Sequence, residues 1–462
     1  MKAGNEMAGD WRTVRLLLFL TGLCSVLSQG MSYLETSFLE ELESKHKLVE
    51  AMFVFGDSVL DAGTNNYFPS LLKANFKPYG QPAFSKPTGR FTNGKTYADF
   101  FAEKLHLKSP EPYLARTGEL SVNYASGGSG VFRSTNAANQ VIPYPDQLLQ
   151  FEQTKLTLVN AVKSSKAVEL ILSKSLFLIS IGGNDLVTNF LDPSPDRPPS
   201  DVFITKLVAG IEESVKTLYQ AGGRKFLLFA QGPLGCIPAV LAAYQVPDGK
   251  CFQPLSDLTE AFNVALEELV LRKLPETLKD IKAIVAKPFE IVGGLLENGE
   301  AEGFTEGLKA CCGYGLYNGE VQCGLVPDKI LNPPYNLCDN VDAYLFWDYF
   351  HPTERVYSIL AENFWKGDSS VIAPMNLKTL VRSVPPEDCG SQHRGEEQAV
   401  DPAAVRTITD RRQKERSCGD SGHENEDCPE FISLFREITS GSMQEWMIPD
   451  AVGDMDDLDA LK

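Results

Sequence analysis

Residues 52–58 read MFVFGDS, an apolar run of four residues that leads directly into a glycine and two polar residues. A short continuous apolar run indicates a strand that is buried on both faces, as in a parallel sheet. Gly56 tolerates a tight backbone turn, so the chain can leave the strand there and present Ser58 at the strand's carboxyl end. The alternative is an ordinary strand-to-helix connection in which Asp57 or Ser58 caps the helix.

Three more buried strands are predicted along the chain, at residues 175–181 (SLFLISI), 225–230 (KFLLFA) and 283–286 (AIVA). A helix is predicted between the second and third strands, with Asp201 able to cap its start and Gly222 to end it. A second helix is predicted between the third and fourth strands. The helical apolar spacing is carried by Phe203, Leu207, Ile211, Val215 and Leu218 in the first helix and by Leu258, Phe262, Leu266, Leu269 and Val270 in the second.

This alternation of strands and helices predicts an α/β fold, a three-layer sandwich with a central, mainly parallel, flavodoxin-like sheet. Functional sites of such sheets form at the carboxyl ends of the strands. With 43% hydrophobic and 10% aromatic residues, the 462-residue chain can bury a sizeable core. We expect the globular domain to span residues 49–384.

The net negative charge of the chain disfavours binding to two classes of partner. The net charge is −18, and an acidic surface repels nucleic acid and anionic lipid, so we expect no nucleic-acid partner. Residues 385–462 hold 19 acidic and eight basic side chains and lose the apolar periodicity, which predicts an acidic, mostly disordered tail.

The amino terminus has the layout of a secretory signal peptide. Arg12 and Arg15 precede an apolar stretch at residues 16–27, and small residues follow it. We therefore expect a signal peptide at residues 1–29, a lead-in at residues 30–48 and secretion, the alternative being a buried helix. No apolar run reaches the roughly 20 residues of a membrane-spanning helix, so no transmembrane segment is expected.

The cysteines of the predicted domain agree with an oxidising compartment. Cys236 and Cys251 bracket a loop that contains proline and glycine, which favours a disulfide between them. A zinc site is the competing interpretation, but the chain has no Cys-x-x-Cys pair and no histidine near the cluster. Three pairings remain open among the other four cysteines, Cys311, Cys312, Cys323 and Cys338.

Of the five histidines, only His351 lies in a context that suggests catalysis. It belongs to WDYFHPTE, in which Asp348 stands three residues earlier and Pro352 and Thr353 open an amphipathic helix. An aspartate so placed can fold back to the imidazole Nδ1–H and stabilise the imidazolium. On its own, a buried structural histidine would explain the motif equally well.

Two glycine-containing segments could offer hydrogen-bond donors to an oxyanion. SIGGND at residues 180–185 follows a predicted buried strand, and Asn184 can project an amide N–H from it. NYASGGSG at residues 123–130 can offer backbone N–H groups, although a plain turn would also explain it.

Taken in order, FVFGDSVLDAGTNN, NYASGGSG, ISIGGNDL and FWDYFHPTE resemble the four signature blocks of plant GDSL esterase/lipases, within the SGNH hydrolase superfamily. PTGRFTNGKTYADF, GPLGCIP, ACCGYG and VIAPMNL are also similar to that family. The resemblance extends over residues 51–381. It implies the SGNH hydrolase fold and cleavage of carboxylic esters through an acyl-enzyme.

Carried over residue by residue, the resemblance implies that Ser58 is the nucleophile, His351 the base and Asp348 the acid of a triad. The oxyanion donors would be Gly128, Asn184 and the backbone N–H of Ser58. Gly128 is chosen over its neighbour because the family glycine stands five positions after the asparagine that Asn123 matches. The fourth residue of the first block is valine here and leucine in the family.

We therefore expect a secreted, monomeric serine esterase without cofactor or metal that acts on a lipid, polysaccharide or other small-molecule ester. One alternative is a wall protein of the same fold that binds carbohydrate or a partner with little catalysis. A second is a metal-dependent phosphoesterase with Asp57, Asp61, Asp348 and His351 as ligands. The pocket shape that selects the natural ester is not encoded in any local motif.

Overall fold

The computed structural model describes residues 47–383 apart from residues 82, 116, 193, 195, 196, 248 and 328. The predicted signal peptide at residues 1–29, all but the last two residues of the lead-in at residues 30–48, and the acidic tail at residues 385–462 lie outside the described residues.

The strands are short, and none exceeds five residues. They are β1 (Met52–Gly56), β2 (Glu111–Pro112), β3 (Val122–Asn123), β4 (Leu176–Ser180), β5 (Lys225–Phe229), β6 (Lys282–Ala286), β7 (Glu306–Ala310), β8 (Cys312–Gly313), β9 (Asn336–Leu337), β10 (Tyr344–Phe346) and β11 (Ile372–Ala373).

The helices alternate with these strands. They are α1 (Tyr97–Lys104), α2 (Tyr144–Val162), α3 (Ser165–Ser173), α4 (Gly183–Leu191), α5 (Ser200–Gln220), α6 (Pro238–Ala243), α7 (Gln253–Glu268), α8 (Leu274–Thr277), α9 (Pro288–Asn298), α10 (Glu354–Lys366) and α11 (Leu377–Arg382). Single turns of 3₁₀ helix connect several of them, at Thr64–Tyr67, Tyr113–Ala115, Ala137–Asn139, Leu234–Cys236, Gly299–Glu302, Leu316–Asn318 and Val341–Ala343.

The main sheet has the strand order β11-β6-β5-β4-β1-β3-β2. All neighbours in it are parallel except β11, which runs antiparallel to β6 at one edge. The four predicted strands are β1, β4, β5 and β6, and they form the contiguous, buried centre of the sheet. The prediction of a mainly parallel sheet is confirmed. β2, β3 and β11 were not predicted, because each has two residues, too few to show a period.

Helices cover both faces of the sheet. Phe53, Phe177 and Phe226 are paired in register on β1, β4 and β5, and the Phe53 and Phe177 rings both contact Phe151 of α2. Because side chains alternate along a strand, Phe229 points to the opposite face. There it packs against Tyr97 of α1, and against Phe364 of α10. The predicted three-layer sandwich is therefore confirmed.

The first predicted helix is α5, which buries the apolar stripe expected of it. Its predicted cap is wrong, because the residue at the N-cap is Pro199 and Asp201 lies inside the first turn. A carboxylate there still interacts favourably with the positive end of the helix dipole. Gly222 follows the helix end with a φ of 124°, as a helix-terminating glycine does.

The second predicted helix is α7, which continues into one turn of π-helix at Leu269–Lys273. Its predicted apolar residues are buried, so the prediction is confirmed.

Three disulfides join the six cysteines of the described region. The expected Cys236–Cys251 bond is present. Of the three pairings open to the other four cysteines, the structure contains Cys311–Cys338 and Cys312–Cys323. Both of these bonds belong to a buried cluster that also contains Tyr79 and Trp347. Trp347 directly precedes Asp348 in the chain, and the Tyr79 hydroxyl donates to Asp348.

Candidate active site

Ser58 follows β1 at the turn that the sequence predicted. Gly56 has a φ of 145°, and a Cβ at this position would lie 2.1 Å from the carbonyl oxygen of Ser180 on β4. Only glycine allows the two strand ends to approach this closely. The Asp57 N–H then donates to the same Ser180 oxygen at 3.2 Å, which fixes the turn to the neighbouring strand.

The imidazole of His351 lies between Ser58 and Asp348. Its Nε2 is 2.7 Å from Ser58 Oγ, and its Nδ1 is 2.7 Å from Asp348 Oδ1. The same Asp348 oxygen accepts the backbone N–H groups of Phe350 and His351 at 2.9 and 2.8 Å. Asp348 is fully buried and His351 is 6% exposed. The structure thus brings Ser58 together with Asp348 and His351, although His351 lies 293 positions further along the chain.

The hydrogen-bond partners fix the tautomer of His351. An ionised Asp348 can only accept, so His351 Nδ1 carries the ring proton. His351 Nε2 is then the acceptor, and the hydroxyl of Ser58 is the donor. This is the arrangement in which a histidine can receive the serine proton during nucleophilic attack.

The predicted oxyanion donors lie on segments that are bonded to the end of β1. The Ser126 N–H donates to the Gly56 carbonyl at 3.0 Å, and Asn184 Nδ2 donates to Ser129 O at 3.0 Å. Among the described residues, the N–H groups of Ser58 and Gly128 have no hydrogen-bond acceptor.

The two neighbouring glycines differ in what their N–H groups contact. The Gly127 N–H donates to Asp61 Oδ2 at 2.8 Å and is therefore occupied, whereas the Gly128 N–H is free within the described part of the chain. Asn184 uses one of its two amide hydrogens on Ser129, which leaves the other for a ligand.

Three buried carboxyl groups hold the loops around Ser58. Asp61 accepts from the N–H groups of Gly63 and Thr64 as well as Gly127, and Asp185 accepts from residues 131 and 132 and from Thr135 Oγ1. Burial raises the pKa of Asp57 to about 7 and that of Asp61 to about 6, and it also raises the pKa of Asp185.

Several residues that organise this region carried no sequence signal. Gln147 of α2 exchanges two 2.8 Å hydrogen bonds with the backbone of Gly56, 91 positions away, and also donates to Ser129 Oγ. Tyr79 donates to Asp348 Oδ2 at 2.6 Å. No local motif surrounds either residue, because their roles arise from contacts between distant segments.

The carboxylates named in the metal-dependent alternative are already engaged. Both oxygens of Asp61 accept backbone N–H groups, and Asp57 Oδ1 accepts the Val59 N–H at 3.0 Å. Within the described part of the chain, no group of three or more His, Cys, Asp or Glu side chains is arranged to hold a metal ion. The other histidine in this part, His106, is exposed and remote in sequence from the three site residues.

A three-layer α/β fold with serine, histidine and aspartate hydrogen-bonded in series is typical of serine hydrolases. Residues 52–364 match the family model described as GDSL-like Lipase/Acylhydrolase. The chain belongs to this family. The predicted family is confirmed, and with it the class of enzyme, a carboxylic ester hydrolase.

Curated relatives agree with this assignment. GDSL esterase/lipase 6 of Arabidopsis thaliana is 34% identical over 352 residues, covering 73% of this chain and 92% of the relative. GDSL esterase/lipase LTL1 of the same species is 35% identical over 342 residues, covering 72% and 90%. The acetylxylan esterase Axe2 of Geobacillus stearothermophilus is 13% identical with a TM-score of 0.33, covering 69% of this chain and 93% of that structure.

No helix in the described ranges combines the length and the apolar character required to cross a membrane.

Proposed function

We propose that the protein cleaves carboxylic esters through a covalent acyl-enzyme on Ser58. His351 Nε2 takes the hydroxyl proton as Ser58 Oγ attacks the ester carbonyl, and Asp348 stabilises the imidazolium that results. The proton then passes to the departing alcohol, and water releases the acid from the serine in a second attack assisted by His351. The observation that carries this proposal is the pair of 2.7 Å contacts that His351 makes with Ser58 and Asp348.

The negative charge of the tetrahedral intermediate would rest on the N–H groups of Ser58 and Gly128 and on the Asn184 amide. These donors are held by a rigid network before substrate arrives, so little reorganisation accompanies the development of charge. Each preorganised donor of this type contributes about 10²–10³ in rate.

The test of this proposal is the Ser58→Ala variant, with Ser173→Ala at the end of α3 as a matched loss of a hydroxyl away from the site. Ser58→Ala should lower hydrolysis of short-chain p-nitrophenyl esters by about 10⁴-fold or more and abolish labelling by a fluorophosphonate. Ser173→Ala should keep both. Labelling or full activity in pure Ser58→Ala protein would refute the assignment of the nucleophile.

We also propose that the protein is secreted and acts as a monomer. The disulfides of the described region and the signal-like amino terminus support export, since such bonds persist in oxidising compartments. Expression with the natural amino terminus should yield extracellular protein that has lost about the first 29 residues. Intact protein retained in the cell would contradict this.

Lipid esters, acetylated polysaccharides and small phenolic esters are the proposed substrate classes. Activity that survives a chelator would separate this chemistry from the metal-dependent alternative, because no proposed step uses a metal. A panel of acyl chain lengths together with acetylated xylan would identify the preferred ester.

A further inference from the structure

We propose that Tyr79 is a positioning residue for the reaction and acts through Asp348. The Tyr79 hydroxyl is 2.6 Å from Asp348 Oδ2, the carboxylate oxygen that does not face His351. The other oxygen, Oδ1, already accepts three N–H groups from the adjacent loop. Tyr79 therefore provides the contact that holds the second oxygen and fixes the rotation of the carboxylate. This inference rests on the proposed roles of Ser58, His351 and Asp348.

The direction of the Tyr79 hydroxyl proton follows from its other neighbour, Gln322. Gln322 Nε2 is 2.9 Å from the carbonyl oxygen of Lys73 and 3.2 Å from the Tyr79 hydroxyl. A carbonyl oxygen can only accept, so the atom of Gln322 that faces Lys73 must be the amide nitrogen. Its second hydrogen is then donated to the Tyr79 oxygen, and the Tyr79 proton is directed at Asp348.

The phenol also remains protonated in this environment. Tyr79 is fully buried, and burial together with the nearby charge of Asp348 raises its pKa well above the ordinary value. A neutral phenol next to an ionised carboxylate gives a charge-assisted hydrogen bond, which is short and strong.

The surroundings of Tyr79 are rigid. Its ring packs edge-on against Trp347, the residue before Asp348, and against Phe76. Gln322 precedes Cys323, which is bonded to Cys312, and the Cys312 N–H donates to the Trp347 carbonyl at 2.8 Å. The disulfide thus holds both the donor to Tyr79 and the backbone that leads into Asp348.

The first experiment compares Tyr79→Phe with Tyr357→Phe. Both tyrosines are fully buried, but the Tyr357 hydroxyl has no hydrogen-bond partner within the described residues. Tyr79→Phe should lower kcat by about 10- to 100-fold, the value of a hydrogen bond to a charged group, with KM within about twofold of wild type. Tyr357→Phe should leave both parameters near wild type. Equal kcat for the two variants would overturn the inference.

A double-mutant cycle separates positioning from general support of the fold. In an Asp348→Asn background, Tyr79→Phe should cause little further loss, because a residue that acts through Asp348 has nothing left to position. The same fold-loss in both backgrounds would show a purely structural role and reject the inference. Urea unfolding of each variant verifies that the proteins compared are folded.

The Ser58→Ala variant keeps the two proposals apart. If Ser58→Ala retains activity, the proposed function fails first. If Ser58→Ala is inactive while Tyr79→Phe matches Tyr357→Phe, only the inference about Tyr79 fails.

Discussion

The two halves of the candidate site are held in place by different means. The serine side consists of the carboxyl ends of β1 and β4 and the loops at residues 123–132, and the bonds between these segments are mostly backbone hydrogen bonds or contacts to buried polar side chains. The base side is the loop between β10 and α10, which carries Asp348 and His351. It is held by two disulfides, a ring cluster and the Tyr79 hydroxyl.

The difference reflects the position of each half in the fold. The serine side extends the central parallel strands, whose ladder already fixes the backbone on both sides. The base side lies outside the main sheet and follows β10, whose only partner strand among the described residues is β7. Beyond this short pair it has isolated backbone hydrogen bonds, such as those from the Trp347 N–H to the His351 carbonyl and from the Cys312 N–H to the Trp347 carbonyl. Side-chain cross-links therefore supplement a smaller set of backbone hydrogen bonds on the base side, and we expect the two halves to respond differently to substitution.

The largest loss of stability should come from Gly56→Ala, a substitution on the serine side. The new Cβ would lie 2.1 Å from the Ser180 carbonyl oxygen at a backbone φ that disfavours side chains, and the oxygen cannot move without disrupting β1 and β4. We expect a loss of about 3 kcal/mol or more in the free energy of unfolding, measured by urea denaturation.

Gly294→Ala in α9 is the matched control, because nothing lies within 4 Å of its added Cβ. It should leave stability unchanged or raise it by up to about 1 kcal/mol, as expected for alanine in place of glycine in a helix. Similar urea midpoints for the two variants would mean that the close approach of β1 and β4 is not a constraint.

The next prediction concerns the Cys312–Cys323 disulfide of the base side. Replacing Cys312 and Cys323 by serine should lower kcat several-fold, because the bond holds Gln322 and the backbone before Asp348. Replacing Cys236 and Cys251 by serine removes a bond of similar loop length, 15 residues against 11. Both pairs should therefore lose about 3 kcal/mol of stability in the chain-entropy view.

The two disulfide variants are compared by steady-state kinetics at a temperature where both are folded. The expected result is a loss of kcat in the first that the second does not share. If kcat fell equally in both, the disulfides would stabilise the fold without a specific link to the base.

A third effect should appear in the pH dependence of stability. Burial raises the pKa of Asp57 from 3.8 to about 7, so its stabilising contribution is complete below about pH 4 and is lost as the pH rises through 7. Asp57→Asn removes this dependence. The variant should gain stability relative to wild type between pH 4 and 7, by an amount on the order of 2–4 kcal/mol.

Glu362 of α10, which follows the base side, provides a control of opposite sign. Hydrogen bonds from Lys104 and Lys366 lower its pKa to about 2, so its contribution is present above about pH 4.5 and is lost on acidification. Urea denaturation across pH 3–7 measures the free energy of unfolding of each variant relative to wild type. This difference should rise with pH for Asp57→Asn and fall with pH for Glu362→Gln. Parallel trends would contradict the burial argument for Asp57.

The elements that could be predicted from the sequence are those whose signal is local. The runs at β1, β4, β5 and β6 are apolar because both faces of a central strand are buried, and the helical stripe of α5 follows from its period. Two-residue strands such as β3 have no period and were not predicted. The Asp201 cap was predicted wrongly, because any short polar residue near a helix start looks equivalent.

The residues of the candidate site also fall into two groups, those with a local sequence signal and those without one. Ser58, Gly128, Asn184, Asp348 and His351 lie within recognisable blocks, so they could be chosen before any coordinates. Tyr79, Gln147 and Gln322 could not, because each contacts residues between 91 and 269 positions away.

The sequence by itself determined the family, the central strands and the residues at their carboxyl ends, because burial and turn chemistry act on near neighbours along the chain. Only the tertiary structure decided how Cys311, Cys312, Cys323 and Cys338 pair, which glycine N–H lacks an acceptor among the described residues, and which side chains hold Asp348. These depend on distances between segments far apart in the chain, and such distances are set only when the helices and strands have packed.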